Sequence, residues 1–187
     1  MIHVENITKS FDKTEVLRGI SAIFEKGKTN LIIGQSGSGK TVFLKSLLGL
    51  FDTDMGSIRF ENKVFNDMID KERAILRQEM GMVFQGSALF DSMTVEENIM
   101  FPMQMFTKEI DSEIRDKANI AIRRVNLIDA NHKLTDEISG GMKKRVAIAR
   151  AIIMNPKYLF CDEPNSGLDP KTSVSYTHLT LPTIYSV

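Results

Sequence analysis

The chain has 187 residues, 42% of them hydrophobic, and its 24 basic and 24 acidic side chains cancel to zero net charge. That size buries one core with room for a subdomain, and the balanced charge offers no global case for nucleic acid as a partner. A single cysteine, Cys161, excludes an internal disulfide framework and suits a reducing compartment, no apolar run approaches the roughly 18 residues of a membrane span, and residues 2–14 mix charged with apolar side chains, unlike a secretory leader.

From the N-terminus, residues 2–8 alternate as a strand does, and residues 19–24 repeat the pattern. Residues 29–33 form a short apolar run that stops at a Gly/Ser cluster. That cluster, GQSGSGKT, comprises Gly34, Gln35, Ser36, Gly37, Ser38, Gly39, Lys40 and Thr41, and it fits the spacing G-x-x-x-x-G-K-[ST]. The spacing has a chemical reason. Glycines let backbone N–H groups curl around phosphate oxygens, Lys40 brings a cation to the β and γ groups, and Thr41 offers a hydroxyl to Mg²⁺. Residues 40–50 follow as a helix, with Val42, Phe43, Leu44, Leu47 and Leu48 on its apolar face. Its N-terminus favours an anion. The competing reading, a plain glycine-rich turn, is weakened because the match lies between a predicted strand and a predicted helix.

Residues 57–60 and 80–84 read as strands flanking a polar helix near 70–79. Residues 111–125 form an amphipathic helix, with Ile114, Ala118, Ala121, Ile122 and Val125 on one side and acids in its first turn. Residues 139–154 are a third helix, opening in ISGGMKKRVAIARAI. Ser139 is its N-cap candidate, and Gly140 and Gly141 allow an anion to approach closely. Lys143, Lys144 and Arg145 read as a solvated basic face. Residues 158–161 are a buried strand that ends in Asp162 and Glu163. At such a strand end an Asp commonly holds Mg²⁺ through water, and an adjacent Glu polarises an attacking water. Cys161 reads as a small buried hydrophobe. Strands alternating with helices predict an α/β domain with a largely parallel central sheet and an N-terminal antiparallel β portion. The stretch from about 90 to 136 reads as an inserted helical subdomain.

The phosphate loop, Gln85, the Ser-Gly-Gly segment and the acidic strand follow one another in the order of the ABC-type ATPases, the nucleotide-binding subunits of membrane transporters. The chain resembles that family over about residues 1–171. The family signature is L-S-G-G-Q, and here Ile138 and Met142 replace its first and last positions. The resemblance implies a P-loop NTPase fold, ATP with Mg²⁺, and a homodimer. In that dimer Ser139, Gly140 and Gly141 of one subunit meet the γ-phosphate held by the other. It implies that Glu163, Gln85 and Lys40 are catalytic, that Thr41, Gln85 and Asp162 serve the metal, and that Phe11 stacks on adenine. Asn165 to Asp169, NSGLD, resembles the loop that crosses the dimer interface. Integral-membrane subunits are expected to dock near residues 85–105, on the inner face of a bacterial cytoplasmic membrane, with no nucleic acid involved.

Gly86, Ser87, Ala88, Leu89 and Phe90, with the Ser-Gly-Gly-Met signature, are similar to the Mla-type ATPases, which implies phospholipid or other lipid transport. Alternatives are a transporter ATPase for another solute, such as an amino acid or metal complex, and a non-transport ABC ATPase acting on DNA or ribosomes. Met93, Met100, Met103 and Met105 crowd the same region, either as adaptable docking side chains or as plain core. His178 lies too soon after Glu163 for the family's γ-phosphate histidine, since a helix and a strand do not both fit between. Residues 174–187, VSYTHLTLPTIYSV, resemble the translation of a DNA-library adapter. The expected organisation is therefore an incomplete ATPase domain at 1–173 followed by a non-native tail at 174–187.

Overall fold

The computed structural model describes residues 1–163 and the backbone of residues 183–186. His178 and the NSGLD segment lie outside the described residues. Two long strands, β1 (Ile2–Phe11) and β2 (Thr14–Phe24), pair antiparallel with Ile2 opposite Phe24 and Phe11 opposite Thr14. β1 also pairs antiparallel with β4 (Met55–Phe60), and β4 with the short β5 (Lys63–Val64), giving the sheet order β2-β1-β4-β5. Both β1 and β2 run longer than hydrophobic alternation alone predicts.

A second sheet holds β3 (Thr29–Ile32), β6 (Met80–Val83), β7 (Tyr158–Asp162) and β8 (Thr183–Ser186) in the order β3-β8-β7-β6, with every pair parallel. β7 is buried at all five positions, as befits a parallel strand covered on both faces. The backbone of residues 183–186 fills the slot between β3 and β7, although this segment was expected to lie outside the fold.

α1 (Lys40–Leu47) packs between the two sheets. Its Phe43, Leu44 and Leu47 join Ile2, Val4, Ile7, Leu17 and Phe60 from the antiparallel sheet and Tyr158 and Phe160 from β7 in one core. The alternate β7 residues, Leu159 and Cys161, face the other way, onto α5 (Gly140–Ile152) through Ala147, Ile148 and Ala151. The period of two in β7 thus fixes a layered order of antiparallel sheet, α1, parallel sheet, α5. β6 runs so close to α5 that any side chain at Gly81 would collide with the Ala151 carbonyl. α2 (Asp70–Gln78) sends Arg77 to the open end of α1, where the guanidinium donates to the carbonyls of Leu48 (3.1 Å) and Gly49 (2.9 Å).

The helical subdomain consists of α3 (Val95–Phe106), α4 (Asp111–Arg124) and a single 3-10 turn at Thr135–Glu137. Thr94 caps α3 in a reciprocal box with Glu97. α4 starts with Asp111 and Glu113 and ends with Arg123 and Arg124, matching its dipole at both ends. Val95, Ile99, Met100, Met103, Ile114, Ala118 and Ile122 form its core together with Ile138, Val146 and Ala149. The subdomain therefore reaches past residue 136 and recruits one side of α5.

Candidate functional site

The phosphate loop bridges β3 and α1, as the motif spacing predicts. Gly39 sits at φ 94 as the residue before the helix, with no side-chain cap and no acid in the first turn. A side chain at Gly39 would press on Val16 and Leu17 at 3.1 to 3.3 Å, so the loop needs glycine here for both conformation and space. The first amides of α1 are left to an anion rather than to a capping side chain. Lys40 folds back over its own loop, donating from Nζ to the carbonyls of Gly34 (2.5 Å) and Gln35 (3.2 Å).

Residues 35–41 line a cleft of about 310 Å³ together with Val16, Val42, Gln85 and Glu163. Gln85 follows β6 and Glu163 follows β7, so parallel pairing of adjacent strands carries both to the same end of the sheet. There Gln85 Nε2 donates to Glu163 Oε2 at 2.8 Å. Asp162, the last residue of β7, is buried. The oxygen donors of Thr41, Gln85 and Asp162 suit a hard cation. Among the described residues no group of three or more His, Cys, Asp or Glu could hold a metal. Cys161 is buried and its thiol is pushed up to about 12 by burial, so it packs rather than reacts.

Other expected residues fall elsewhere. Ser139 caps α5, its hydroxyl accepting from Met142 N–H at 3.3 Å. Ser139, Gly140 and Gly141 do not line the cleft that holds the phosphate loop. The two departures from the signature are explained by packing: Ile138 is buried in the helical core, and Met142 packs against it. Phe11 also lies outside the cleft lining. It is partly exposed, edge-on to Phe51 at 5.2 Å, with Lys9 Nζ 5.6 Å from its ring. Lys143, Lys144 and Arg145 are half-buried rather than a solvated face. Burial lowers the Lys144 pKa, while the Glu163 carboxylate pulls it up, so α5 brings a cation to the acidic strand end.

Two side chains that the motifs did not reveal hold the loop after Gln85. Ser87 and Ala88 both adopt left-handed backbone, at φ 63 and 47, at about 1–2 kcal/mol each for residues with a Cβ. Arg150, in the last turn of α5, donates from Nη1 to the Ala88 carbonyl (2.8 Å) and from Nη2 to the Ser87 carbonyl (2.9 Å). Burial lowers the Arg150 pKa, and the two carbonyls offset the cost of burying its charge. Asn98, fully buried in α3, accepts from Phe90 N–H and donates to the carbonyls of Phe90, Met93 and Thr94. Val16 is the third omission: a half-buried residue of β2 whose contact with Gly39 no local pattern signals.

Beside this loop runs an apolar groove of about 350 Å³, lined among others by Met82, Phe84, Ala88, Phe90, Phe101 and Phe106. Met100 and Met103 are not part of it, because both are buried in the helical core. Met103 is thereby removed from the expected docking surface.

A phosphate loop between a parallel strand and a helix, faced by a glutamine and an acidic pair from neighbouring strand ends, defines a P-loop nucleotide-binding domain. More narrowly, the chain belongs to the ABC transporter family, whose model matches residues 17–166. It is 38% identical over 180 residues to the "Probable ribonucleotide transport ATP-binding protein mkl" of Mycobacterium leprae (strain TN), covering 96% of this chain and 52% of that protein. It is 40% identical over 182 residues to the methionine import ATP-binding protein MetN of Clostridium tetani (strain Massachusetts / E88), covering 96% of this chain and 56% of that one. The chain thus spans about half the length of these relatives. A dimeric post-hydrolysis structure of the ATP-binding cassette MJ0796, bound to ADP and Pi, superposes with a TM-score of 0.91 at 29% identity, covering all of this chain and 87% of that one.

Proposed function

We propose that this chain binds Mg·ATP and hydrolyses it as the ATP-binding subunit of a membrane transporter. The observation that carries this reading is the single cleft gathering residues 35–41, Gln85 and Glu163. Lys40 and the first amides of α1 hold the β and γ phosphates, and Glu163 polarises a water for in-line attack on the γ-phosphorus. The leaving ADP oxygen departs opposite, and the water proton passes toward the Glu163 carboxylate. Gln85, bonded to Glu163, orients that carboxylate and the water beside it. Thr41, Gln85 and Asp162 would hold Mg²⁺, which would supply charge neutralisation at the phosphates. Ser139, Gly140 and Gly141 then serve the nucleotide of a second copy, which agrees with their place outside this cleft and with the dimeric neighbour. Phe11 is assigned to adenine on the resemblance alone.

The groove lined by Phe84, Phe90, Phe101 and Phe106 receives an apolar helix of a membrane subunit, which sets the chain on the inner face of a bacterial cytoplasmic membrane. Among the described residues no helix is long and apolar enough to cross a membrane itself. The cargo is assigned as lipid, on the phrase from Gly86 to Phe90 and the Ser-Gly-Gly-Met signature. Relatives named for ribonucleotides and methionine favour a second reading, a polar solute. Residues 174–187 are assigned as foreign on their likeness to an adapter translation, and re-sequencing the locus across codon 174 tests it.

Glu163→Gln should lower ATP turnover by about 10² to 10⁴ while leaving ATP affinity intact, as loss of a water-activating group does. Unchanged turnover would remove Glu163 from the mechanism. Purified complex carrying its membrane subunits should retain phospholipid, whereas stoichiometric amino acid or nucleotide would replace the lipid assignment.

A further inference from the structure

We propose that Arg150 is a positioning residue for Gln85: its fork on the Ser87 and Ala88 carbonyls holds the loop in the left-handed conformation that sets the Gln85 amide against Glu163. The inference rests on the reading that Gln85 and Glu163 face the nucleotide. Three observations converge on it. Two consecutive non-glycine residues occupy left-handed backbone just beyond Gly86, the residue that follows Gln85, a conformation their own sequence disfavours. Their carbonyls point the same way, as successive residues of one helical hand do, and both land on one guanidinium at 2.8 and 2.9 Å. Two residues before Ser87, Gln85 makes its 2.8 Å bond to Glu163.

Chain geometry turns these into a device. With Asn98 fixing residue 90, the loop has little slack at its far end. The conformation of Ser87 and Ala88 therefore decides where Gln85 points. Without the fork, both residues relax toward ordinary right-handed or extended backbone, their carbonyls diverge, and Gln85 leaves Glu163. Arginine is required because two parallel N–H donors must meet two carbonyls in one plane. A lysine keeps the charge and supplies no fork. Arg150 and Ala88 also line the apolar groove, so an occupant there bears directly on the clamp.

The test uses the full chain with Arg150→Lys and, as a second variant, Arg150→Gln. Amide hydrogen exchange over residues 85–90 should speed up about tenfold or more in both, while the amides of β7 keep their protection and report that the fold is intact. The Gln85 side-chain amide resonance should shift in Arg150→Lys in the same direction as in Glu163→Ala. With Mg·ATP, kcat should fall about tenfold or more with KM changed less than about threefold, and adding Gln85→Ala should cause no further loss. Full rescue by lysine, unchanged exchange and resonance, or multiplying losses in the double variant would overturn the proposal. A wild-type chain that binds no ATP would instead overturn the nucleotide reading, and the exchange and resonance comparisons would still decide whether Arg150 positions Gln85.

Discussion

Two loops flank the cleft, and they reach unusual backbone by opposite routes. The phosphate loop uses glycines, with Gly37 at φ 78 and Gly39 at φ 94, so its shape is written into its own residues. The loop after Gln85 uses Ser87 and Ala88 at similar left-handed angles, and its shape is imposed by Arg150, 62 residues from Ala88, and by Asn98. The first loop is conformationally prepaid by sequence, whereas the second is held under tension by tertiary contacts. A site can thus have one wall that is rigid by composition and another that changes when a distant helix moves.

Substitutions that exchange the two strategies test this contrast. The largest effect is expected from Gly39→Ala, which places a Cβ against Val16 and Leu17 at a left-handed φ. Mg·ATP affinity should fall about a hundredfold, ~2.8 kcal/mol, by fluorescent-nucleotide titration, and wild-type affinity would deny the phosphate loop its dependence on glycine. Next, Asn98→Ala strands the Phe90 N–H and the Met93 carbonyl and takes one of two donors from the carbonyls of Phe90 and Thr94, which keep the N–H groups of Met93 and residue 98. It should lower unfolding free energy by about 2–3 kcal/mol in urea, and a neutral result would show that this segment does not need its anchor. The opposite sign is expected for Ala88→Gly, which relieves left-handed strain and should stabilise by about 0.5–1 kcal/mol. Destabilisation there would mean that the methyl, not the backbone, matters.

An effect confined to alkaline pH concerns neither loop but the strand between them. Burial raises the Cys161 thiol from 9.0 to about 12 and the Tyr158 hydroxyl from 10.0 to about 12. Both stay protonated in the fold while the unfolded chain releases protons first. Their contribution is therefore intact below pH 9 and is lost as pH rises toward 12. Urea midpoints should decline over that window, and Cys161→Ala should flatten part of the decline. A midpoint that rose with pH would contradict the burial of these groups.

The same contrast explains what the sequence disclosed. The phosphate loop, the acidic strand end and the cap at Ser139 are local patterns, and each appears where spacing predicts it. The layered α/β order followed from the alternation of short apolar runs with amphipathic helices. Arg150 and Asn98 look like ordinary helix residues because their work depends on contacts far along the chain. Met103 shows the converse: position in sequence left docking surface and plain core both open for the four methionines, and the helix period sends Met100 and Met103 into the core and leaves Met105 exposed. Lys144 looks like a solvated basic residue for a related reason, since only the fold brings Glu163 beside it.

α5 has a final consequence through its length. Its 13 residues span about 20 Å, with the Ser-Gly-Gly turn at one end and Arg150 at the other. In the proposed two-copy arrangement, the first end touches the neighbour's nucleotide and the second governs the glutamine at the chain's own. The helix then works as a rigid crossbar between two fuel chambers. Any tilt induced by one nucleotide alters the readiness of the other, and linkage makes that influence equal in both directions for binding.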